Sequence, residues 1–374
     1  MIGLFAPRYV KEGKEMLKAA RKMLHYKRDL LRPDDLAAIE GEYRALEAAV
    51  HGRDREGIEN SSRKLDELFA ARFPRPANAG LRENCEVFLV AIVIAIGVRS
   101  YFLQPFTIPT GSMQPTLNGI TSTLTEEPAP NPLVRALHFA LYGRTYVDLV
   151  SIHDDVIESI RPVKRFIFLN YTEVKTQRQT FLVHAPDKQL VYDFNIRRGR
   201  PLHAGEVFAR GHVDTGDHVF VDKTRYHYAA PRRGEVFVFN TLGIPTGSNL
   251  ENPNGPSQFY IKRLAGLPND RLRIDPPTLF VNGEIAQGPM FARVMSKENG
   301  YNGYSNVMGN GRPFRYLGSP EDIFPVPPGA YFALGDNSYN SSDSRDWGSV
   351  PEKNLVGRAL FVYWPFTSHW GFIK

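Results

Sequence analysis

Between residues 11 and 70, leucine, methionine, alanine and valine recur three and four positions apart among mixed charges, as in KEGKEMLKAARKMLHYKRDLL and DDLAAIEGEYRALEAAV. That spacing gathers apolar side chains on one helical face, so the segment predicts two or three amphipathic helices lying on one another or on a membrane. The stretch RFPRPANAGL, residues 72–81, breaks the pattern with proline and glycine and reads as the start of a linker over 72–85.

A different pattern follows. VFLVAIVIAIGV, Val87 to Val98, is an uncharged apolar run of 12 residues. A bilayer core of ~30 Å wants ~20 residues, and the flanks extend the run: Arg99 can snorkel, and RSYFLQPF supplies aromatic side chains for the headgroup zone. The expectation is one transmembrane helix over 86–105, ended by Pro105; a buried core helix of a soluble domain is the alternative at this length. The run lies too far along the chain for a cleaved signal peptide, with 85 residues or so before it. Arg72, Arg75 and Arg82 precede it, and after it only Arg99 occurs before Arg135. The positive-inside rule then places 1–71 in the cytoplasm and 106–374 outside, which in a bacterium is the periplasmic side of the inner membrane.

Beyond residue 105 the period shortens to two. HVFVDK, GEVFVFN, QFYIKRL, RLRIDPPTLFVNGE, GAYFALGD and ALFVYW are short runs rich in β-branched and aromatic residues, separated by Gly, Pro and Asn turns. They predict a mainly β fold: an antiparallel β catalytic domain of barrel or coiled-sheet type, preceded by the helical region and the membrane helix. Two segments interrupt it. Residues 118–210 hold further strand candidates such as RFIFLNYTEV and QTFLVHAP after a proline-rich lead, EEPAPNPL, and residues 291–323 are rich in Gly, Asn and Ser. Both read as insertions.

Composition narrows the class without naming a function. The 374 residues are 42% hydrophobic and 23% charged, with 31 Gly and 28 Pro, which fits a folded, turn-rich chain and excludes disorder as its main state. A net charge of +6 is spread thinly, with no Lys/Arg block that would track a phosphate backbone, so a membrane surface is a better acidic partner than nucleic acid. The single cysteine, Cys85, rules out an intrachain disulfide or a multi-cysteine metal site and reads as a small buried hydrophobe.

Three segments carry candidate chemistry. In IPTGSMQPTL, Gly111 lets a substrate approach Ser112 closely, but a serine hydroxyl is inert without a base, and a lone Gly-Ser-Met is more often structural. No histidine after the apolar run sits in a motif with an orienting aspartate. Lys262, in FYIKRLAGLPNDR, is set by its strand among apolar neighbours, where desolvation would favour the neutral amine a base requires. The polar loop GDNSYNSSDSRDWG mimics the first ligands of a calcium loop at Asp336, Ser338 and Asn340. It fails that test, having Ser341 where glycine and Trp347 where glutamate are needed, and a solvated turn is its plain reading. No metal is expected.

Taken together and in order, these segments resemble the bacterial type I signal peptidases, membrane-anchored serine peptidases with a Ser-Lys dyad. The likeness runs from about residue 84 to the carboxyl terminus apart from the two insertions, through IPTGSMQPTL, GDHVFVDK with RRGEVFVF, YIKRLAGLPND and GDNSYNSSDSR. The resemblance implies Ser112 as nucleophile and Lys262 as general base. It implies Ser341 as the hydroxyl that orients the lysine, and the Ser112 amide with the Thr110 hydroxyl as oxyanion donors. Arg263, Asp336, Asp343 and Arg345 would form ion pairs holding the late loop against the lysine strand. Two departures stand out: Thr110, where many relatives have serine, and Asn269, where they usually have glycine and where asparagine is the best substitute at positive φ.

The implied reaction is removal of signal peptides from secretory preproteins with Ala-x-Ala cleavage sites, through an acyl-enzyme and without a cofactor, by a single-pass enzyme of the bacterial inner membrane. Membrane lipid and preproteins are the implied partners. The aromatic stretch YWPFTSHWGF would rest the β domain on the headgroups or pack in its core. Two alternatives stay open: a Ser-Lys peptidase with another substrate, as in the soluble self-cleaving repressors, and a binding scaffold for secreted chains that cuts nothing.

Overall fold

The structure, a computed structural model, describes residues 7–73, 78–165, 169–246 and 257–373 and divides into two compact units, Met1–Val93 and Ile94–Lys374.

The first unit opens with three helices, Arg8–Lys27, Pro33–Gly52 and Arg55–Arg72. Their i, i+3 and i+4 apolar positions meet in one small core that includes Ile39, Leu46, Ile58 and Leu65. Proline at the first turn and Asp34 and Asp35 beside it start the second helix, and a left-handed Arg53 stops it. A Cβ on Gly13 would meet Val50 Cγ2 at 2.8 Å and Ile58 Cγ2 at 2.9 Å, so glycine sets how closely the first helix crosses the other two. The linker expected over 72–85 is shorter in the structure. Residues 74–77 lie outside the described residues, and from Ala79 the chain is already helical.

That fourth helix, Ala79–Tyr101, corrects the transmembrane expectation. Among the described residues no helix is long and apolar enough to cross a membrane. Arg82, Glu83, Asn84 and Glu86 occupy its first turns and Arg99 its last, which confines the unbroken apolar run to Val87–Val98. At 1.5 Å per residue the run is about 18 Å long, well short of a hydrocarbon core of about 30 Å. Residues 103–105, assigned to the same span, belong to the strand Leu103–Thr107 instead. The run is nonetheless exposed all round, with Val87, Phe88, Leu89 and Val93 each 61–66% accessible. Cys85 is exposed as well, against the expectation of a buried hydrophobe.

In the second unit the strands expected from period-two runs form antiparallel sheets. The largest has the strand order Leu103–Thr107, His218–Asp222, Leu355–Trp364, Val236–Asn240, Phe259–Gly266, Ala330–Leu334 and Val350–Pro351, with Gly371–Phe372 also pairing on Leu355–Trp364. Both of its faces are covered. Along Val236–Phe239 every residue is buried, yet Val236 and Val238 join one core cluster while Phe237 and Phe239 join another, the alternation a pleated strand imposes. A second sheet orders Glu284–Ile285, Thr278–Val281, Arg271–Asp275 and Phe324–Pro325.

The first insertion builds two small sheets. Arg144–Val150 and Thr121–Leu124 flank Val207–Asp214, and Asp155–Arg165 pairs with Leu169–Thr176 and Pro201–Leu202. Part of RFIFLNYTEV, residues 166–168, lies outside the described residues. The insertion has its own core around Val147, Val174, Leu190 and Phe194. Pro132–Tyr142, in the proline-rich lead, is a helix: the Asn131 side chain accepts from the Val134 amide at 3.0 Å and Gly143 closes the far end at φ 64°. The second insertion is structural support for the main sheet, since Phe291, Val294, Tyr301, Tyr304 and Leu317 pack in one core with Leu272, Ile274 and Phe332.

Candidate active site

Ser112 sits in a single 3-10 turn, Gly111–Met113, which follows the edge strand Leu103–Thr107. Pro109 and Pro115 on either side prevent a longer helix. The turn is pinned by its carbonyls: the Asn337 amide donates to Ser112 O at 3.1 Å, and Asn337 Nδ2 donates to Gly111 O at 3.0 Å. Met113 beside it is fully buried and anchors the turn in the core. A Cβ on Gly335 would lie 2.5 Å from Ser112 O and 2.1 Å from Ser341 Oγ, so the late loop reaches the serine turn only because residue 335 has no side chain.

Lys262 comes from the centre of the main sheet. Its strand pairs Lys262 with Phe237 and Arg263 with Val236 on one side, and Arg263 with Leu334 on the other. Lys262 Nζ lies 2.6 Å from Ser112 Oγ, in a hydrogen bond joining residues 150 positions apart. Both side chains are buried, and the lysine is 4% exposed. Burial is the main force on the amine and brings its pKa down to about 8; Asp343 and Asp336 push it back up, and Arg345 lowers it further. At pH 7 roughly a tenth of the amine is therefore unprotonated and able to accept the serine proton, against well under a thousandth for an ordinary lysine. The Thr110 hydroxyl is 3.4 Å from Ser112 Oγ.

Two buried ion pairs surround the dyad. Arg263 makes a bidentate pair with Asp336, at 2.7 and 2.6 Å, and also donates to Gly234 O at 2.6 Å. This pair ties the lysine strand to the late loop. The second pair is internal to the loop: Arg345 grips Asp343 at 2.9 and 2.7 Å and reaches outward to Ser305 O and Ser338 Oγ, both at 2.7 Å. Its guanidinium also stacks over Phe314, 3.8 Å from the ring centre. Arg263–Asp336 thus joins the lysine strand to the late loop, while Asp343–Arg345 fastens the loop to the second insertion. Burial pushes the Asp343 carboxyl up, but the Arg345 charge and hydrogen bonds and the Gly335 amide outweigh it and hold the group below the usual carboxylate range.

Ser341 differs from its expected role as the hydroxyl bonded to the lysine. Its Oγ is buried and has no hydrogen-bond partner among the described residues; it lies close enough to Asp343 to favour that carboxylate without a bond of normal geometry. Asn269 takes φ 72°, as its place in the GLPND turn predicts. Several site residues escaped the sequence reading. Thr116, four positions after the serine, donates to Asp336 Oδ2 and meets Tyr301 OH at 2.9 Å, linking the serine loop to the Arg263 pair and to the second insertion. Asn337 and Gly335 lie inside the loop already singled out, where the signal was the Gly-Asp-Asn run itself. Ser305 offered no signal, since it acts through a backbone carbonyl. Among the described residues no group of three or more His, Cys, Asp or Glu side chains could hold a metal ion.

Comparisons with known proteins point to one family. A signal peptidase I of Leptolyngbya laminosa is 31% identical over 153 residues, covering 41% of this chain and 63% of that protein. One of Pseudomonas fluorescens is 31% identical over 184 residues, with 41% of this chain and 61% of the other covered. The signal peptidase I of Rickettsia rickettsii is 26% identical over 308 residues, 78% of this chain and 83% of that one. The chain therefore spans less than two thirds of the length of the first two relatives. A solved signal peptidase I structure from Enterococcus faecalis V583 matches at 26% identity over 34% of this chain and 95% of that one, with a TM-score of 0.24, too low to compare the folds. The profile of the family described as signal peptidase, peptidase S26 matches residues 81–192 and 209–364. Those two stretches make up more than half of the sequence and contain Ser112, Lys262 and both ion pairs, so this chain belongs to the signal peptidase family, peptidase S26.

Proposed function

We propose that this chain is a serine endopeptidase that removes signal peptides from exported preproteins, with Ser112 as nucleophile and Lys262 as general base. The observation that carries the reading is the 2.6 Å contact between a buried lysine and a buried serine hydroxyl. Neutral Lys262 takes the Ser112 proton, Ser112 Oγ attacks the scissile carbonyl, and the ammonium returns its proton to the leaving amine. The same lysine then activates the water that cleaves the acyl-enzyme. The developing oxyanion is held by the Ser112 amide and the Thr110 hydroxyl. Ser341 packs beside the serine turn and lowers the pKa of the Asp343 carboxyl that faces the lysine. Arg263, Asp336, Asp343 and Arg345 hold the loop and set the field around the lysine.

The substrates are preproteins with small residues at the first and third positions before the cut. The enzyme works at a membrane surface on the outer side of the bacterial inner membrane. The exposed apolar run Val87–Val98 seats in lipid, where an apolar helix face is at its lowest free energy, without crossing the bilayer. Incubating the detergent-solubilised chain with a synthetic Ala-x-Ala signal peptide tests the assignment. Cleavage after the second alanine is expected, falling to background in Ser112→Ala. Peptide that is bound but left whole by the unaltered protein would point to a binding scaffold and refute the reading.

A further inference from the structure

Residue 217 closes the loop that carries the nucleophile. The Ile108 amide donates to Asp217 O at 2.9 Å, the Asp217 amide donates to Asn118 O at 2.9 Å, and the Asn118 amide donates to Asp217 Oδ2 at 2.7 Å. Ile108 and Asn118 are the two ends of the segment that contains Ser112, so a single residue binds the entry and the exit of that loop. Gly216 makes the approach possible, because a Cβ there would lie 1.7 Å from Ile108 O. The aspartate is 1% exposed, and among the described residues its carboxylate has one further hydrogen-bond partner. His369 Nδ1 meets Asp217 Oδ2 at 2.8 Å, which brings the C-terminal aromatic stretch onto the same oxygen that holds Asn118. Asp217 and His369 touch neither Ser112 nor Lys262 through any hydrogen bond described.

From this geometry we infer that Asp217 is a positioning residue for the serine loop, a clasp whose carboxylate His369 steers. The inference rests on the peptidase reading for its effect on rate, though not for its effect on the loop. Two of the three clasp bonds use the backbone of residue 217 and survive any side-chain change, so the carboxylate is the adjustable part. Losing it frees the Asn118 amide and lets the exit of the loop drift while the sheet under Lys262 stays in place. A nucleophile held at 2.6 Å from its base is sensitive to such drift. Displacements of about 1 Å from remote changes can cost about 100-fold.

The test compares Asp217→Ala, Asp217→Asn and His369→Ala in the full chain, with amide exchange over residues 108–118 read beside kcat and KM on the Ala-x-Ala peptide. Asp217→Ala is expected to speed exchange in that segment and lower kcat by about 10- to 100-fold with little change in KM. Asparagine keeps an oxygen that accepts from Asn118, so Asp217→Asn recovers most of the loss, and His369→Ala shows a smaller loss of the same kind. Equal losses in the alanine and asparagine variants, a loss confined to KM, or unchanged exchange over 108–118 would overturn the clasp. Should the unaltered chain cleave no peptide, the peptidase reading falls and the exchange data alone decide the clasp. Should Asp217→Ala fail to fold, the exchange and kcat of His369→Ala decide it.

Discussion

Lys262→Met is expected to lower kcat/KM by about 10²- to 10⁴-fold, the range of a lost general base, while making the fold more stable. Methionine matches the length of the lysine stem and has no charge to bury. The lysine pKa falls from 10.5 to about 8 on folding because the ammonium is desolvated. The folded state thus binds this proton more weakly than the unfolded chain does. Its penalty is fully present below pH 8 and fades as pH rises toward the unfolded value. A drop of that size corresponds to roughly 3 kcal/mol at neutral pH, of which Lys262→Met relieves the larger part. Activity is read on the signal peptide and stability from urea unfolding. A variant that lost activity together with stability would mean that the lysine holds the fold, and one that kept activity would mean that it is not the base.

Arg345→Ala is expected to destabilise the second unit by about 3–5 kcal/mol, because it leaves Asp343 buried without its counter-charge. The arginine is fully buried and serves Asp343, Ser305 and Ser338 at once, and the Phe314 ring loses its stacked cation. Domains are stable by only about 5–15 kcal/mol, so a large share of the margin goes with one side chain. The double variant Asp343→Asn/Arg345→Met removes both charges and is expected to be more stable than Arg345→Ala alone. Urea midpoints for the two variants check the pair, and equal midpoints would mean that the stranded carboxylate is not what costs stability. Activity falls in both variants, since Gly335, whose missing side chain lets the late loop reach Ser112 O, is held by Asp343 through its amide at 2.9 Å.

The strands around the dyad were legible because each is a short period-two run between turn residues, and burial of Val236–Phe239 on alternate sides follows that period directly. Lys262 could be singled out because the strand residues before it, Phe259, Tyr260 and Ile261, are apolar. The partners of the serine turn were harder to see. Asp217, Thr116 and Asn337 are polar residues of ordinary types, and what makes them matter is a meeting of segments 99 to 226 positions apart, in part through backbone amides and carbonyls that every residue possesses. The second insertion was legible only as a stretch rich in Gly, Asn and Ser, but its few aromatic residues are enough to bury it against the sheet. The membrane helix was over-read at its ends. The apolar run is real and exposed, whereas the polar residues before it and the strand after it leave too little length to cross a bilayer.

The measurement that tests the Ser112–Lys262 account most directly is the pH dependence of kcat/KM on the Ala-x-Ala peptide. A base must be neutral to act, and burial sets this amine near 8, so activity should be low at pH 6 and rise through a midpoint near 8. A rising limb centred near 6.5, where an ordinary histidine titrates, and surviving in Lys262→Met, would contradict it.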